Sequence, residues 1–200
     1  MLGVAIVDVH PESIDGPWIE GFVLDRHVVS SRPIGYVGEH LQFDTVRSPL
    51  GELVYKLKYG RGIPLTGRWE DDIIETALAF MKQRWMGCID CVVPPPPSLY
   101  RMEQPAVLIA EGIARSLNVP TLMNAVVKAT ATQEMKNTPL YERVPLLTGA
   151  IQAGTDSVQG RRVLLVDDLW ETGSTLRRVA EVLGQGGATE IRALVITRTK

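Results

Sequence analysis

Two adjacent carboxylates followed by a short run of hydroxyl residues are the part of the sequence best suited to chemistry. Asp167 and Asp168 come directly after the apolar run 163–166, and the sequence Thr-Gly-Ser-Thr occupies positions 172–175. Carboxylates accept hydrogen bonds from sugar hydroxyls or bind Mg²⁺. Hydroxyls and successive backbone N–H groups bind phosphate. The segment therefore predicts a site for a phosphorylated sugar with free hydroxyls, with Mg²⁺ as the expected metal.

The elements on either side of these residues predict where the site lies in the fold. The run 163–166 is typical of a buried strand, and residues 174–183 predict a helix that ends at Gly184. Ligands of open α/β sheets bind at the carboxyl ends of the strands, and the N-terminus of a helix favours an anion. Gly173 has no Cβ, so the backbone can approach that anion closely.

Strands and helices alternate through the second half of the chain. The predicted elements are a strand at 88–93, a helix at 106–117, a turn and strand at 118–123, a long polar loop at 124–142, a short helix at 145–153 and a last strand at 191–197. Short connections between such elements require parallel pairing with right-handed crossovers. We therefore expect an α/β fold, a doubly wound and mostly parallel sheet flanked by helices.

The first 60 residues differ from the rest in character. They are rich in glycine, contain short apolar runs and show no helical period, which predicts a β-rich N-terminal arm or subdomain over residues 1–60. An amphipathic helix at 71–85, with acidic residues in its first turn, follows. The second predicted unit is therefore an α/β domain over residues 61–200.

Composition excludes several functional classes. The 200 residues are 45% apolar and 22% charged with a net charge of -2, which argues against general nucleic-acid binding and against a positively charged membrane surface. We find neither an apolar run of ~18 residues nor a basic leader, so no membrane segment or signal peptide is expected. The two cysteines are too few for a disulfide framework, and a cytoplasmic location is expected.

The paired acids alone leave a second interpretation open. A run such as Val-Leu-Leu-Val-Asp-Asp also opens the receiver domains of bacterial signalling proteins, where paired acids bind Mg²⁺. In those domains the run lies near the N-terminus, whereas here only about thirty residues follow Asp168. The Thr-Gly-Ser-Thr continuation also has no role there, so the sugar-phosphate interpretation is favoured.

The segment 163–176 closely resembles the phosphoribosyl-pyrophosphate (PRPP) binding motif of type I phosphoribosyltransferases. The resemblance implies that Asp167 and Asp168 hold the ribose 2′- and 3′-hydroxyls, and through them contribute indirectly to the metal site. It also implies that the following loop holds the 5′-phosphate. The loop residues are Glu171, Thr172, Gly173, Ser174 and Thr175. Glu171 stands where a threonine or small polar residue is usual, so its carboxylate is expected to point outward.

A weaker similarity, over roughly residues 52–200, is to the ComF-like branch of that family. It is carried by the proline run after the strand at 88–93, by the basic stretch 55–59 and by basic residues in the long loop. The implied residues are Pro95, Pro96, Pro97 and Ser98 in a pyrophosphate loop, Arg101 as a catalytic clamp beside Asp167 and Asp168, and Lys128, Lys136 and Arg143 in a mobile loop.

The resemblance implies a phosphoribosyltransferase that binds PRPP with Mg²⁺. It would transfer the 5-phosphoribosyl group to a nitrogen acceptor such as a nucleobase and release pyrophosphate. The alternative is a non-catalytic PRPP- or nucleotide-sensing protein, or a competence-type accessory protein. We expect residues 1–60 or a partner subunit of a homodimer to supply an acceptor pocket, and we do not expect nucleic acid as a partner.

Two other groups of residues are weaker candidates. Cys88 and Cys91 have the spacing of a metal or redox pair, but both flank an apolar strand, so ordinary buried cysteines are favoured. His10, His27 and His40 lack the spacing of a zinc site. Solvated or capping histidines are the better interpretation.

Overall fold

The computed structural model of the protein describes residues 4–60, 68–97, 104–128 and 151–199. In chain order the elements are β1 (Glu12–Ser13), β2 (Glu20–Arg26), β3 (Val28–Val37), β4 (His40–Arg47), α1 (Pro49–Tyr59), α2 (Arg68–Lys82), β5 (Cys91–Val93), α3 (Pro105–Leu117), β6 (Val126–Lys128), β7 (Ile151–Ala153), β8 (Arg162–Trp170), α4 (Ser174–Gln185) and β9 (Glu190–Arg198). None of the helices among these residues has the length and apolar character needed to span a membrane.

A five-stranded sheet with the order β1-β2-β9-β8-β5 is the centre of the fold. Strands β2, β9, β8 and β5 are parallel, and β1 is antiparallel at one edge. Helices α1, α2 and α3 pack on one face of the sheet, while α4 packs on the other. The predicted α/β class, with a mostly parallel sheet flanked by helices, is confirmed.

Alternation along β8 divides the core into two layers. Val163 and Leu165 pack on the side of α4, whereas Leu164 and Val166 pack on the side of α1, α2 and α3. All four side chains are fully buried, because successive residues of a strand point to opposite faces and both faces here are covered. The strand is therefore fixed in register on both sides, and so is the position at which it ends.

Helix α1 overturns the prediction that the first 60 residues have no helical segment. The Ser48 side chain accepts a hydrogen bond from the Gly51 N–H at 2.9 Å, and Pro49 begins the helix. These are ordinary start signals of a helix. Only Leu50, Gly51 and Val54 of this short helix are buried, so its apolar period is too brief to stand out in the sequence.

The N-terminal 60 residues also contribute to the central sheet. Strand β2 pairs with β9, and its Val23 and Leu24 are fully buried. Strands β3 and β4 instead form a separate two-stranded sheet that begins directly after β2. The expected β-rich character is therefore present, but one of the strands belongs to the central core of the protein.

Three further predictions change in the structure. The helix expected at 145–153 is wrong for its described part, because Ile151–Ala153 is a strand paired with Val126–Lys128, which lies in the expected long loop. The strand expected at 118–123 is reduced to one parallel bridge between Thr121 and Val92. Pairings between such short segments distant in sequence leave no periodic signal in either segment alone.

Two glycines in helices provide a test of this packing. A Cβ on Gly51 would lie 2.2 Å from the backbone oxygen of His27, whereas a Cβ on Gly184 meets nothing within 4 Å. Glycine is otherwise about 1 kcal/mol worse than alanine inside a helix. We therefore expect Gly51→Ala to destabilise the fold by about 1–3 kcal/mol through overpacking, and Gly184→Ala to stabilise it by roughly 0.5–1 kcal/mol. Urea unfolding of both variants measures this, and equal stabilisation by the two would contradict the close contact of α1.

Candidate functional site

A cavity of about 380 Å³ lies at the carboxyl ends of β5 and β8. Four parts of the chain line it. They are Lys58 of α1, the proline run Pro95–Pro97 after β5, residues 104–107 at the start of α3, and residues 167–176 from the end of β8 into α4. The structure thus brings the predicted acids, the Thr-Gly-Ser-Thr loop and the proline run into one cavity, at the sheet edge where α/β proteins bind ligands.

The two carboxylates approach the cavity from opposite faces of β8. Asp167 continues the alternation of Val163 and Leu165, on the side of α4, and Asp168 faces α1. The backbone N–H of Asp168 donates to Oδ1 of Asp167 at 2.8 Å, and Oδ2 of Asp168 lies 3.4 Å from Nζ of Lys58. Both carboxylates are partly buried, so each is held in place before a ligand arrives.

The environment of Asp167 disfavours a negative charge. Burial, and after it the neighbouring Asp168 carboxylate, raises the pKa of Asp167 to about 8. A carboxyl that keeps its proton near neutral pH is able to donate a hydrogen bond as well as accept one. Perturbed carboxyls of this kind are concentrated at functional sites.

The loop between β8 and α4 leaves the N-terminus of that helix open. Gly173 has φ 74°, and a Cβ there would lie 2.1 Å from the Trp170 ring, so only glycine is accommodated. No side chain caps α4, and Ser174 is exposed. Its hydroxyl lies 3.0 Å from that of Thr172. Free N–H groups beside paired hydroxyls form a suitable seat for phosphate.

Arg177 fixes the shape of this loop and was not predicted from the sequence. Its Nη1 donates to the backbone oxygen of Thr172 at 2.9 Å, and its Nε donates to that of Asp15 at 3.1 Å. The guanidinium also lies over the Trp170 ring at 5.1 Å from the centroid. An arginine on an exposed helix face gave no sign of this role, because its partners are backbone atoms distant in sequence.

The remaining predicted site residues divide into three groups. Glu171 is exposed and lines the cavity. Lys128 is half-buried on β6, where burial lowers its pKa, and it does not line the cavity. Four predicted residues lie outside the described part of the chain, namely Ser98, Arg101, Lys136 and Arg143.

Lys58 is the residue of the site that sequence reasoning left without a role. The basic stretch 55–59 was noted, but no feature of the sequence indicated that its second lysine meets Asp168 across 110 residues. A second link joins the N-terminal segment to the same strand. Thr197 donates to the backbone oxygen of Asp168 at 3.1 Å, and His27 donates through Nδ1 to the Thr197 hydroxyl at 3.1 Å.

The donor set suits a magnesium ion that is shared with a ligand. Among the described residues no group of three or more histidine, cysteine, aspartate or glutamate side chains could hold a metal alone. Mg²⁺ prefers oxygen ligands and is commonly held by one or two carboxylates together with substrate phosphates. Asp167 and Asp168 supply such oxygens beside a phosphate seat, so the residues are compatible with Mg²⁺ carried by a phosphorylated ligand.

The predicted interpretation of the cysteines agrees with their surroundings. Cys91 is fully buried on β5, where burial raises the pKa of its thiol to about 11. The reactive thiolate form is therefore disfavoured. Cys88 is half-buried, and both cysteines are free thiols. Asp90 between them pairs with Arg162 at 2.7 Å, and this bond holds the pKa of Asp90 at about 2.

The family of the protein follows from comparison of this region with known proteins. Residues 103–200, which contain both aspartates and the phosphate loop, match the family model of the phosphoribosyl transferase domain. This part of the chain therefore belongs to the phosphoribosyltransferase family, and with the parallel sheet it defines a type I phosphoribosyltransferase-like protein.

A curated relative narrows the class. The chain is 29% identical over 117 residues to Competence protein F of Haemophilus influenzae, a match that covers 54% of this chain and 50% of that protein. The protein is thus ComF-like, as the sequence predicted. The matched region spans about half the length of this relative.

Solved structures of the same family also resemble the chain. One described as the allosteric regulatory enzyme of purine biosynthesis has TM-score 0.48 and 20% identity, covering 76% of this chain and 33% of its own. Glutamine PRPP amidotransferase from B. subtilis has TM-score 0.46 and 20% identity, with the same coverage. Purine phosphoribosyltransferase from Pyrococcus horikoshii has TM-score 0.42 and 17% identity, covering 64% of this chain and 83% of its own.

The raised pKa of Asp167 predicts a pH dependence of stability. The unfolded carboxyl has a pKa near 4, so between about pH 4 and the folded value the native state binds the extra proton. Its contribution to stability is complete below about pH 4 and is lost as the pH rises towards about 8. We expect Asp167→Asn to reduce this downward slope in urea unfolding measured from pH 4 to pH 8.5.

Asp71→Asn provides the matched control, because Asp71 is exposed in the first turn of α2. This variant should keep the wild-type slope. Parallel profiles for wild type and Asp167→Asn would contradict a protonated Asp167 in the folded protein.

Proposed function

We propose that the protein binds PRPP together with Mg²⁺ and transfers the 5-phosphoribosyl group to a nitrogen acceptor, releasing pyrophosphate. The observation that carries the proposal is the placement of Asp167 and Asp168 beside the open N-terminus of α4, in one cavity. Family membership supports phosphoribosyl transfer as the general reaction. The roles of individual residues below are our proposal.

The arrangement divides the ligand between two kinds of partner. Hydroxyl protons of the ribose would be donated to the carboxylates of Asp167 and Asp168. The 5′-phosphate would accept hydrogen bonds from the N–H groups and hydroxyls of the loop Thr172–Thr175. Separate seats explain how carboxylates and phosphate can be neighbours, since the two negative groups do not share one seat.

Magnesium would be held by the sugar hydroxyls and the pyrophosphate oxygens near Asp167 and Asp168, and it would neutralise charge on the leaving pyrophosphate. The described cavity lining supports this need for a cation, because it contains three carboxylates, of Asp167, Asp168 and Glu171, and a single ammonium group, of Lys58.

The reaction breaks the bond from ribose C1 to pyrophosphate and forms a bond from C1 to the acceptor nitrogen, with inversion at C1. The acceptor nitrogen loses a proton to solvent or a nearby base. Positive charge develops on the sugar ring during this exchange, and the carboxylates beside the ring stabilise it. Fixing both ends of the sugar also orients C1 towards the acceptor.

We further propose that the N-terminal 60 residues supply part of the acceptor site. The hairpin β3–β4 begins at Val28, directly after the carboxyl end of β2, and β2 is parallel to β8. The hairpin therefore leaves the sheet at the edge where the cavity lies. Tyr36 and Phe43, on one face of the hairpin, are 72% and 53% exposed, and exposed aromatic rings can stack on a planar base.

A second candidate is a non-catalytic role in which the site senses PRPP or a nucleotide. Similarity to Competence protein F favours keeping it, because that protein is named for competence and not for a transferase activity. A homodimer and a cytoplasmic location also remain our proposals.

Ligand binding tests the proposed site directly. PRPP with Mg²⁺ at ~100 times its dissociation constant should stabilise the wild-type fold by about 2.7 kcal/mol in thermal unfolding. Asp168→Asn should remove most of this stabilisation without unfolding the protein, because Asp168 stands at the end of β8 and not in the core. Asp71→Asn, the matched exposed control, should respond as wild type does.

The outcomes separate the candidates. Stabilisation together with pyrophosphate release from pooled nucleobases supports the transferase. Stabilisation without release supports the sensor. The absence of any response at millimolar PRPP would rule out both functions.

The role of the hairpin is tested by substitution, since deletion of residues 1–50 would also remove β2 from the central sheet. Tyr36→Ser with Phe43→Ser should raise the KM for the acceptor several-fold while the dissociation constant of PRPP stays unchanged. Val46→Ser, on the other face of the same hairpin and 51% exposed, is the control. Unchanged acceptor kinetics in the folded double variant would refute this role.

A further inference from the structure

Lys58 has an unusual place in the charge balance of the cavity. It contributes the single cationic side chain to the described lining, opposite the carboxylates of Asp167, Asp168 and Glu171. Its side chain is 21% exposed and that of Asp168 is 13% exposed, so the pair is shielded from solvent. A ligand with an anionic group at each end would bring further negative charge into this space, and Lys58 is the group placed to meet it.

The position of Lys58 relative to the sheet determines which end of the ligand it meets. Helix α1 packs on one face of the sheet, and α4, with the proposed 5′-phosphate seat, packs on the other. The carboxylates of Asp167 and Asp168 lie between them at the end of β8. A sugar held by its hydroxyls in the middle, with its phosphate at α4, therefore directs its opposite end towards α1.

The contact that Lys58 makes in the free protein is a weak one. Its Nζ lies 3.4 Å from Oδ2 of Asp168, whereas strong charge-assisted hydrogen bonds of this type measure about 2.7–2.9 Å. The ammonium group has three donors, and Asp168 is its one described hydrogen-bond partner. Exchange of this contact for an anionic ligand group therefore sacrifices little.

We infer that Lys58 binds the anionic group at the end of the ligand remote from the 5′-phosphate, and so makes the site select sugars that are charged at both ends. The inference rests on the proposed function, in which this remote group is the pyrophosphate of PRPP. Lys58 acts as a specificity-determining residue. It discriminates PRPP from ribose 5-phosphate, which has the same 5′-phosphate and hydroxyls but a neutral C1 substituent.

Lys56 provides an internal comparison on the same helix. Its side chain is 42% exposed and pairs with Glu52, one turn earlier, at 3.5 Å. It does not line the cavity. The two lysines share helix, charge and chain length, so they differ chiefly in whether they face the site.

The test measures dissociation constants of PRPP and ribose 5-phosphate, each with Mg²⁺, by calorimetric titration. Lys58→Met should raise the constant for PRPP about 10- to 100-fold, as expected for loss of a hydrogen bond to a charged group. The constant for ribose 5-phosphate should change less than 3-fold. Lys58→Arg should recover much of the PRPP affinity, and Lys56→Met should leave both constants unchanged.

Failure of this inference is distinguishable from failure of the proposed function. If wild type binds PRPP and Lys58→Met binds it equally well, or loses both ligands to the same extent, Lys58 does not select the remote anion. If wild type binds neither ligand, the proposed function fails and the inference fails with it. Should Lys58→Met not fold, Lys58→Gln is measured against the same expectations.

Discussion

The covered faces of strand β8 are the constraint on which the site depends. Val163 to Val166 alternate between two apolar layers and are fully buried, so the strand can neither slide nor turn over without exposing core residues. That fixed register places two carboxylates where the core ends, one on each side of the strand. The cost of partial burial appears in the raised pKa of Asp167. Packing of the core thus positions the chemistry.

The opposite faces of the sheet then give the site its two ends. Helix α4 presents an uncapped N-terminus after Gly173, and α1 presents Lys58. Both helices are anchored to the sheet by their own apolar faces. The site is therefore completed by segments more than a hundred residues apart, and the N-terminal residues belong to the machinery of the protein as well as to its periphery.

Local signals in the sequence explain what could be predicted. The apolar run 163–166, the two acids and the Thr-Gly-Ser-Thr loop lie within one short segment, and each part has a physical preference that needs no distant partner. Helices α3 and α4 follow from amphipathic periods over 12 or 13 residues. For the same reason the sheet class and the end of the sheet that carries the ligand could be predicted before the structure was known.

Long-range contacts explain what could not be predicted. Lys58 resembles any solvated helical lysine until α1 is placed beside β8, and Arg177 resembles any exposed arginine until Asp15 and Thr172 are brought to it. The short strands of β6 and β7 pair with each other across a long separation, so neither shows a period of its own. Strand β2 was assigned to a peripheral arm because its position beside β9 depends on the whole sheet.

The central claim is that the carboxyl end of β8 and the loop after it form a sugar-phosphate site. A residue-resolved NMR titration of the full chain with PRPP and Mg²⁺ tests it most directly. The account predicts saturable shifts that are largest for the backbone amides of residues 167–175, with a smaller response at Lys58. Saturable binding whose shifts lie elsewhere in the protein, with residues 167–175 unaffected, would contradict it.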